Sequence, residues 1–177
     1  MIKRTAPARL AALAGLAVLL AFLLAAPPVH AEVTGIYKSW TALSKSEGNG
    51  KVCFVVAAPE TSKGNYKKRG DVFLLVTHRP SEKSFGVVNV QAGYTYKARS
   101  EAVMRIDGKT YKLFTDGENA WARDAKTDRT LVKAMKAGNR LVVTGTSSRG
   151  TKTTDTFSLS GFTAAYNAAS RTCGVKP

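Results

Sequence analysis

Along this chain, apolar and polar residues repeatedly change places at every second position, and clusters of Gly, Pro, Asn, Asp and Ser interrupt the runs. That is the pattern of a strand-rich fold. EVTGIYKSWTALSKS (Glu32 to Ser46) keeps a strand-like period with Trp40 as its large core anchor, and SEGNG ends it as a turn. KVCFVVAA (Lys51 to Ala58) has almost no polar alternation, which predicts a strand buried on both faces with Cys53 inside. PETSKGNYKKRGD (Pro59 to Asp71) reads as the clearest loop. DVFLLVTHR (Asp71 to Arg79) is a second central strand, stopped by Pro80, and GVVNVQAG (Gly86 to Gly93) is a third.

EAVMRIDGKTYKLF (Glu101 to Phe114) is the strongest hairpin signal, with Asp107-Gly108 as its two-residue turn. Pairing about that turn puts Ala102, Met104, Ile106, Tyr111 and Leu113 on one face, with Arg105 and Lys112 on the other. NAWARD is a short strand with Trp121 directed inward. RLVVTGTSS and TKTTDTFSLS form a second strand pair about the Arg149-Gly150 turn, and Asp155, Phe157 and Leu159 share one face.

Two stretches break the period of two. Leu131, Val132 and Met135 recur at helical spacing, with Lys133 and Lys136 outside, Asp128 as the predicted cap and Gly138 as the stop. Phe162, Ala165, Tyr166, Ala169 and Cys173 form one stripe of a final helix, which Ser160 is placed to cap. The elements predict one mainly β domain over residues 32–177: an antiparallel, sandwich-like sheet with two short helices. Closure into a barrel is the competing geometry.

The first 31 residues have a different character. Lys3, Arg4 and Arg9 precede an apolar run from Leu10 to Ala26, and Val29-His30-Ala31 offers a small-residue cleavage signal. This is the layout of a secretory signal peptide cut between Ala31 and Glu32. The competing reading, an uncleaved anchor, has a run at the short limit for a membrane span and a Pro27-Pro28 break against it. The expected destination is the periplasm, the outer-membrane surface or the medium, with no transmembrane span after cleavage. An exported chain with two cysteines, Cys53 and Cys173, fits an oxidising compartment. Paired, they close a loop of about 120 residues, a constraint the chain-entropy model values at up to ~5 kcal/mol. Two buried free thiols are the alternative.

Charge narrows the candidate chemistry. Without the leader, 24 basic residues face 12 acidic ones. Lys63, Lys67, Lys68 and Arg69 concentrate on one loop, which makes them candidates for contact with a polyanion such as lipopolysaccharide or a glycosaminoglycan. A solvated loop of a generally basic protein is the plainer explanation. His78 is the single histidine after the leader, so any triad or histidine-based metal site would have to use it. A hydrogen-bonded histidine at a strand end explains it as well. No serine sits in a nucleophile elbow, and Asp116 to Asp128 lacks the spacing of a calcium loop. No cofactor is expected.

Several stretches in order carry a family resemblance: Trp40, VCFVV (Val52 to Val56), MRIDGKTYKLF at mid-chain, TLVKAMKAGNRLVV (Thr130 to Val143) and FSLSGFTAAYNA (Phe157 to Ala168). In these the chain resembles the invasion-associated locus B family of exported bacterial proteins. The resemblance implies an alphaproteobacterial periplasmic or surface-associated protein, a β-sandwich fold, no established catalytic activity and, in pathogens, a link to host-cell entry. Cys53 matches a family cysteine. Longer relatives place further cysteines where this chain has Ser44 and the Asp116 to Trp121 turn, whereas this chain has Cys173. The expected function is therefore a non-enzymatic binding module of the cell envelope, directed at an unidentified envelope or host component and not at cytoplasmic nucleic acid. An envelope hydrolase acting on peptidoglycan or glycan is the alternative.

Overall fold

The computed structural model describes residues 31–48 and 50–177, so the leader lies outside the described residues except for Ala31. Among the described residues, eleven strands form a single antiparallel sheet. In chain order they are β1 (Glu32–Tyr37), β2 (Trp40–Glu47), β3 (Gly50–Ala57), β4 (Thr61–Gly64), β5 (Phe73–Arg79), β6 (Ser84–Gln91), β7 (Glu101–Ile106), β8 (Lys109–Asp116), β9 (Asn119–Trp121), β10 (Arg140–Thr146) and β11 (Lys152–Ser158). Helix α1 (Ala125–Ala137) precedes β10 and α2 (Phe162–Thr172) follows β11. The strand order across the sheet is β1-β2-β3-β5-β6-β9-β8-β7-β10-β11-β4.

The sheet is folded in two, and the chain itself requires it. β3 lies near one end of that order and β4 at the other, yet only Ala58, Pro59 and Glu60 connect them. Extended chain covers about 3.5 Å per residue, enough to cross the ~10 Å between stacked sheets but not to travel along eight strands. The halves therefore face each other, as the predicted sandwich-like, mainly β architecture requires. Trp40 Nε1 donates to the Ser158 carbonyl at 2.9 Å and joins β2 to β11 across the fold. One continuous core fills the space between, with Trp40, Leu74, Met104, Leu113, Phe157 and Phe162 fully buried. The rings of Trp40 and Phe162 meet edge to face at 4.8 Å, so α2 is anchored in the core where the two ends of the sheet approach.

The hairpin forms in the predicted register. Met104 pairs with Tyr111 and Ala102 with Leu113, and the turn residues Asp107 and Gly108 both have positive φ, 43° and 88°. The Asp107 carboxylate accepts from the Asn139 and Arg140 amides at 2.9 and 3.2 Å and ties this turn to the start of β10.

Other expectations are corrected. β3 is not buried on both faces: Val55 and Ala57 point into the core, whereas Phe54 and Val56 are only half-buried, shielded by neighbours such as Leu75 across the strand pair. In β9 the inward residue is Ala120, and Trp121 lies half-buried on the opposite face, because the pairing of Ala120 with Val90 sets the parity. The region read as a loop contains β4, whose four residues pair with Thr153 to Thr156 of β11.

The helix caps also move. Asp124, not Asp128, caps α1, accepting from the Thr127 amide at 2.7 Å. Asp128 lies one turn inside the helix, buried, where Oδ1 accepts from the Val88 amide at 2.8 Å. It supplies the acceptor that β9, three residues long, is too short to offer β6. Burial raises the Asp128 pKa, with that amide opposing the shift. Gly138 ends α1 in an extended conformation, and its missing side chain matters for packing: a Cβ there would lie 2.7 Å from the Ile106 side chain. Ser160 does not cap α2. Gly161 takes that position with φ 93°, and any Cβ would drive into the Tyr37 carbonyl.

Candidate binding cleft and buried polar groups

The four basic residues singled out on the loop separate into three kinds. Lys63 lies exposed on β4 as an ordinary strand-edge residue. Arg69 turns inward: its guanidinium donates to both carboxylate oxygens of Asp155, at 2.7 and 2.8 Å, and Nε donates to the Ala92 carbonyl at 2.7 Å. The two side chains are 5% and 3% exposed. Tyr94 stacks against the guanidinium at 4.8 Å and Tyr66 at 5.6 Å. Burial alone would lower the Arg69 pKa, but hydrogen bonding and attraction from Asp155 outweigh it and leave it raised. This cation is engaged in the fold, fastening the loop to β11 in one half of the sheet and to the end of β6 in the other. Asp155, which alternation places on the face of Phe157 and Leu159, is buried there because it answers Arg69.

Lys67 and Lys68 remain, and both line a cleft of about 610 Å³. Its opposite wall is the turn after β10, where Ser148 and Arg149 face the loop. Backbone hydrogen bonds fix that turn: Gly150 donates to Ser147 at 2.8 Å, Ser147 to Thr151 at 2.9 Å, and Ser148 to Thr95 at 2.8 Å. Tyr94 forms part of the floor, with its hydroxyl 2.7 Å from that of Thr153. Among the described residues, Lys67, Lys68 and Arg149 have no ion-pair partner and no acidic residue lines the cleft. Hydroxyls of Thr95, Ser148 and Thr151 are interspersed with these cations. The cleft thus presents a positively charged surface of ligand size, with hydroxyls among its tyrosine-bearing walls. Sequence reasoning read Arg149 only as a turn residue. Its place beside Lys67 follows from β4 pairing with β11, across more than eighty positions of chain.

His78 is fully buried, at 0% exposure. The Gly86 amide donates to Nδ1 at 3.2 Å, and Nε2 lies 3.1 Å from the Ser170 hydroxyl. Ser170 itself donates to the Tyr166 carbonyl at 2.8 Å, so its oxygen is left to accept and the imidazole must carry its proton on Nε2. The ring is neutral and joins β5 to α2. Burial, assisted by Lys136, lowers its pKa to about 4. Cys53 pairs with His78 across the β3–β5 ladder, and Cys53 is disulfide-bonded to Cys173 at the end of α2, with Cα atoms 5.9 Å apart. Two fastenings of α2 therefore lie side by side. Among the described residues, no three of His, Cys, Asp and Glu come together as a metal site would require, and no helix is long and apolar enough to cross a membrane.

Fold and cleft define a disulfide-closed, mainly antiparallel β domain with a basic surface cleft. A family model described as Invasion associated locus B (IalB) protein matches residues 40–170, and the chain belongs to that family. No curated protein and no solved structure matches the chain.

Proposed function

We propose that this protein is an exported, non-enzymatic binding module of the cell envelope, periplasmic or surface-associated, and that the cleft beside Arg69 receives a polyanion. The observation that carries this reading is the convergence of Lys67, Lys68 and Arg149, unpaired among the described residues, on one cleft from two distant parts of the chain. Interspersed hydroxyls suit a phosphorylated or sulfated glycan, of which lipopolysaccharide and glycosaminoglycans are the extracytoplasmic examples. The excess of basic residues adds a long-range attraction over a Debye length of ~8 Å at physiological salt. The other chemistry-bearing groups support binding over catalysis, since His78, Asp128 and Asp155 each hold a structural hydrogen bond. A role in host-cell entry belongs to the same proposal.

The test compares two triple variants on immobilised heparin. Replacing Lys67, Lys68 and Arg149 with Ser is expected to lower the eluting salt well below the effect of replacing Arg105, Lys109 and Lys126, which are exposed elsewhere. Equal effects would reduce the cleft to bulk charge. Release of fragments from purified sacculi, abolished by a single carboxylate substitution, would favour an envelope hydrolase instead.

A further inference from the structure

A second cleft, of about 380 Å³, opens on another part of the molecule, between α1, α2, the start of β6 and the segment after Cys173. Its composition differs from the first. Phe85, Val132, Tyr166 and Val175 give it an apolar lining, and Arg129, Lys133, Lys136 and Lys176 stand around it. No acidic residue lines it, and none of the four cations has an ion-pair partner among the described residues. Arg129, Lys133 and Lys136 follow one another on α1 at steps of four and three, which stacks like charges along one helix side at a cost to helix stability. An anionic ligand would neutralise that arrangement.

The walls are held in place before any ligand arrives. Phe85 is 45% exposed at the rim, next to Gly86, whose φ of 67° turns the strand there. The Gly86 amide is bonded from beneath by buried His78, and a Cβ on Gly86 would lie 3.2 Å from the Tyr166 hydroxyl, so the strand rests directly on α2. Lys136 is positioned by the Tyr166 ring, with its ammonium 4.4 Å from the centroid, and not by an acid. On the far side, Val175 donates to the Ser170 carbonyl at 2.8 Å, two residues beyond the cysteine that the disulfide ties to β3.

We propose that this cleft binds a single-chain anionic amphiphile, an acyl chain ending in a carboxylate or phosphate and taken up as a monomer. The aromatic and aliphatic lining would receive the chain, and the cations would neutralise the head. A glycan polyanion does not suit it, because Phe85, Val132 and Val175 offer side chains without hydrogen-bonding groups. The volume lies within the usual range for small-molecule sites.

Calorimetric titration of the mature, oxidised protein with dodecanoate and dodecyl phosphate below their micelle concentrations tests this. One molecule is expected to bind per chain. Phe85→Ser and, separately, Lys133→Ser with Lys176→Ser are each expected to weaken binding by at least about fivefold. Lys109→Ser, on the β7–β8 hairpin, is expected to leave binding unchanged. These side chains are exposed, and an unchanged circular dichroism spectrum shows that each variant still folds. Four results would overturn the proposal: no saturable binding of either amphiphile, equal affinity for dodecyltrimethylammonium, full competition by inorganic phosphate, or association with anionic phospholipid vesicles alone.

Discussion

The Arg69 corner and the His78 corner both fasten a late part of the chain to an early one, the first through a full ion pair and the second through neutral groups beside a disulfide. Arg69 reaches Asp155 with two charge-assisted hydrogen bonds and shares its third donor with a carbonyl. His78 accepts from Gly86 and donates to Ser170, and the bond between Cys53 and Cys173 closes the same junction covalently. The difference shows what each environment tolerates. An arginine remains charged even when buried, so its site must supply a carboxylate. An imidazole sheds its proton instead, and its site can be built from an amide and a hydroxyl.

That contrast predicts different ways of breaking the two corners. Asp155→Ala leaves a buried guanidinium without its counter-charge and is expected to cost about 3–5 kcal/mol, read from denaturant midpoints. Replacing both partners, Arg69→Met with Asp155→Leu, is expected to cost much less, because no charge is stranded. If the double variant were as unstable as the single, the corner would depend on more than charge pairing.

At the other corner, Cys53→Ser with Cys173→Ser opens a 120-residue separation and is expected to cost about 2–4 kcal/mol, measured the same way. The partner segments would still be linked through His78 and Ser170, so α2 is expected to fray without the whole sheet unfolding. Hydrogen exchange would show this as lost protection in α2 with β7, β8 and β10 still protected.

The smallest of the three effects depends on pH and belongs to His78 alone. Its pKa falls from 6.5 to about 4 on folding, so between those values the unfolded chain takes up a proton that the folded chain refuses. The contribution is complete above pH 6.5 and declines as the pH falls toward 4, to a total of at most ~3 kcal/mol. About 2 kcal/mol of it is expected to be lost by pH 5. Denaturation curves at pH 7 and 5 for the wild type and His78→Gln test this: the variant is expected to change less between the two. An equal change in both would place the titration elsewhere.

Most of the elements could be read along the chain because their causes are local. The hairpin about Asp107-Gly108 is an example: two residues that accept positive φ stand between runs whose alternation agrees in register. The last helix is another, since its stripe from Phe162 to Ala169 lies on the core as its spacing requires. Errors arose where two local signals competed. Asp124 and Asp128 stand one turn apart and each could cap α1; the choice fell to Asp124 because the amide of Val88 claims Asp128. Trp121 looked like the core residue of its strand, yet the register with β6 turns Ala120 inward.

The candidate site was only half legible, and its residues show why. A basic cluster at Lys67 to Arg69 is visible in any reading of the sequence. Nothing local distinguishes Arg69, buried against Asp155, from Lys67 and Lys68, which line a cleft, or shows that Arg149 completes that cleft. By itself the sequence determined most of the strands, though neither β4 nor the break between β1 and β2, together with the two helices, the main turn and the candidate cysteine pair, since periodicity, turn chemistry and composition act over a few residues. Only the tertiary structure decided which cations serve the fold and which stand free. That depends on a sheet folded in two, which brings β4 against β11 and α2 against β3, and such contacts are set by the packing of distant surfaces.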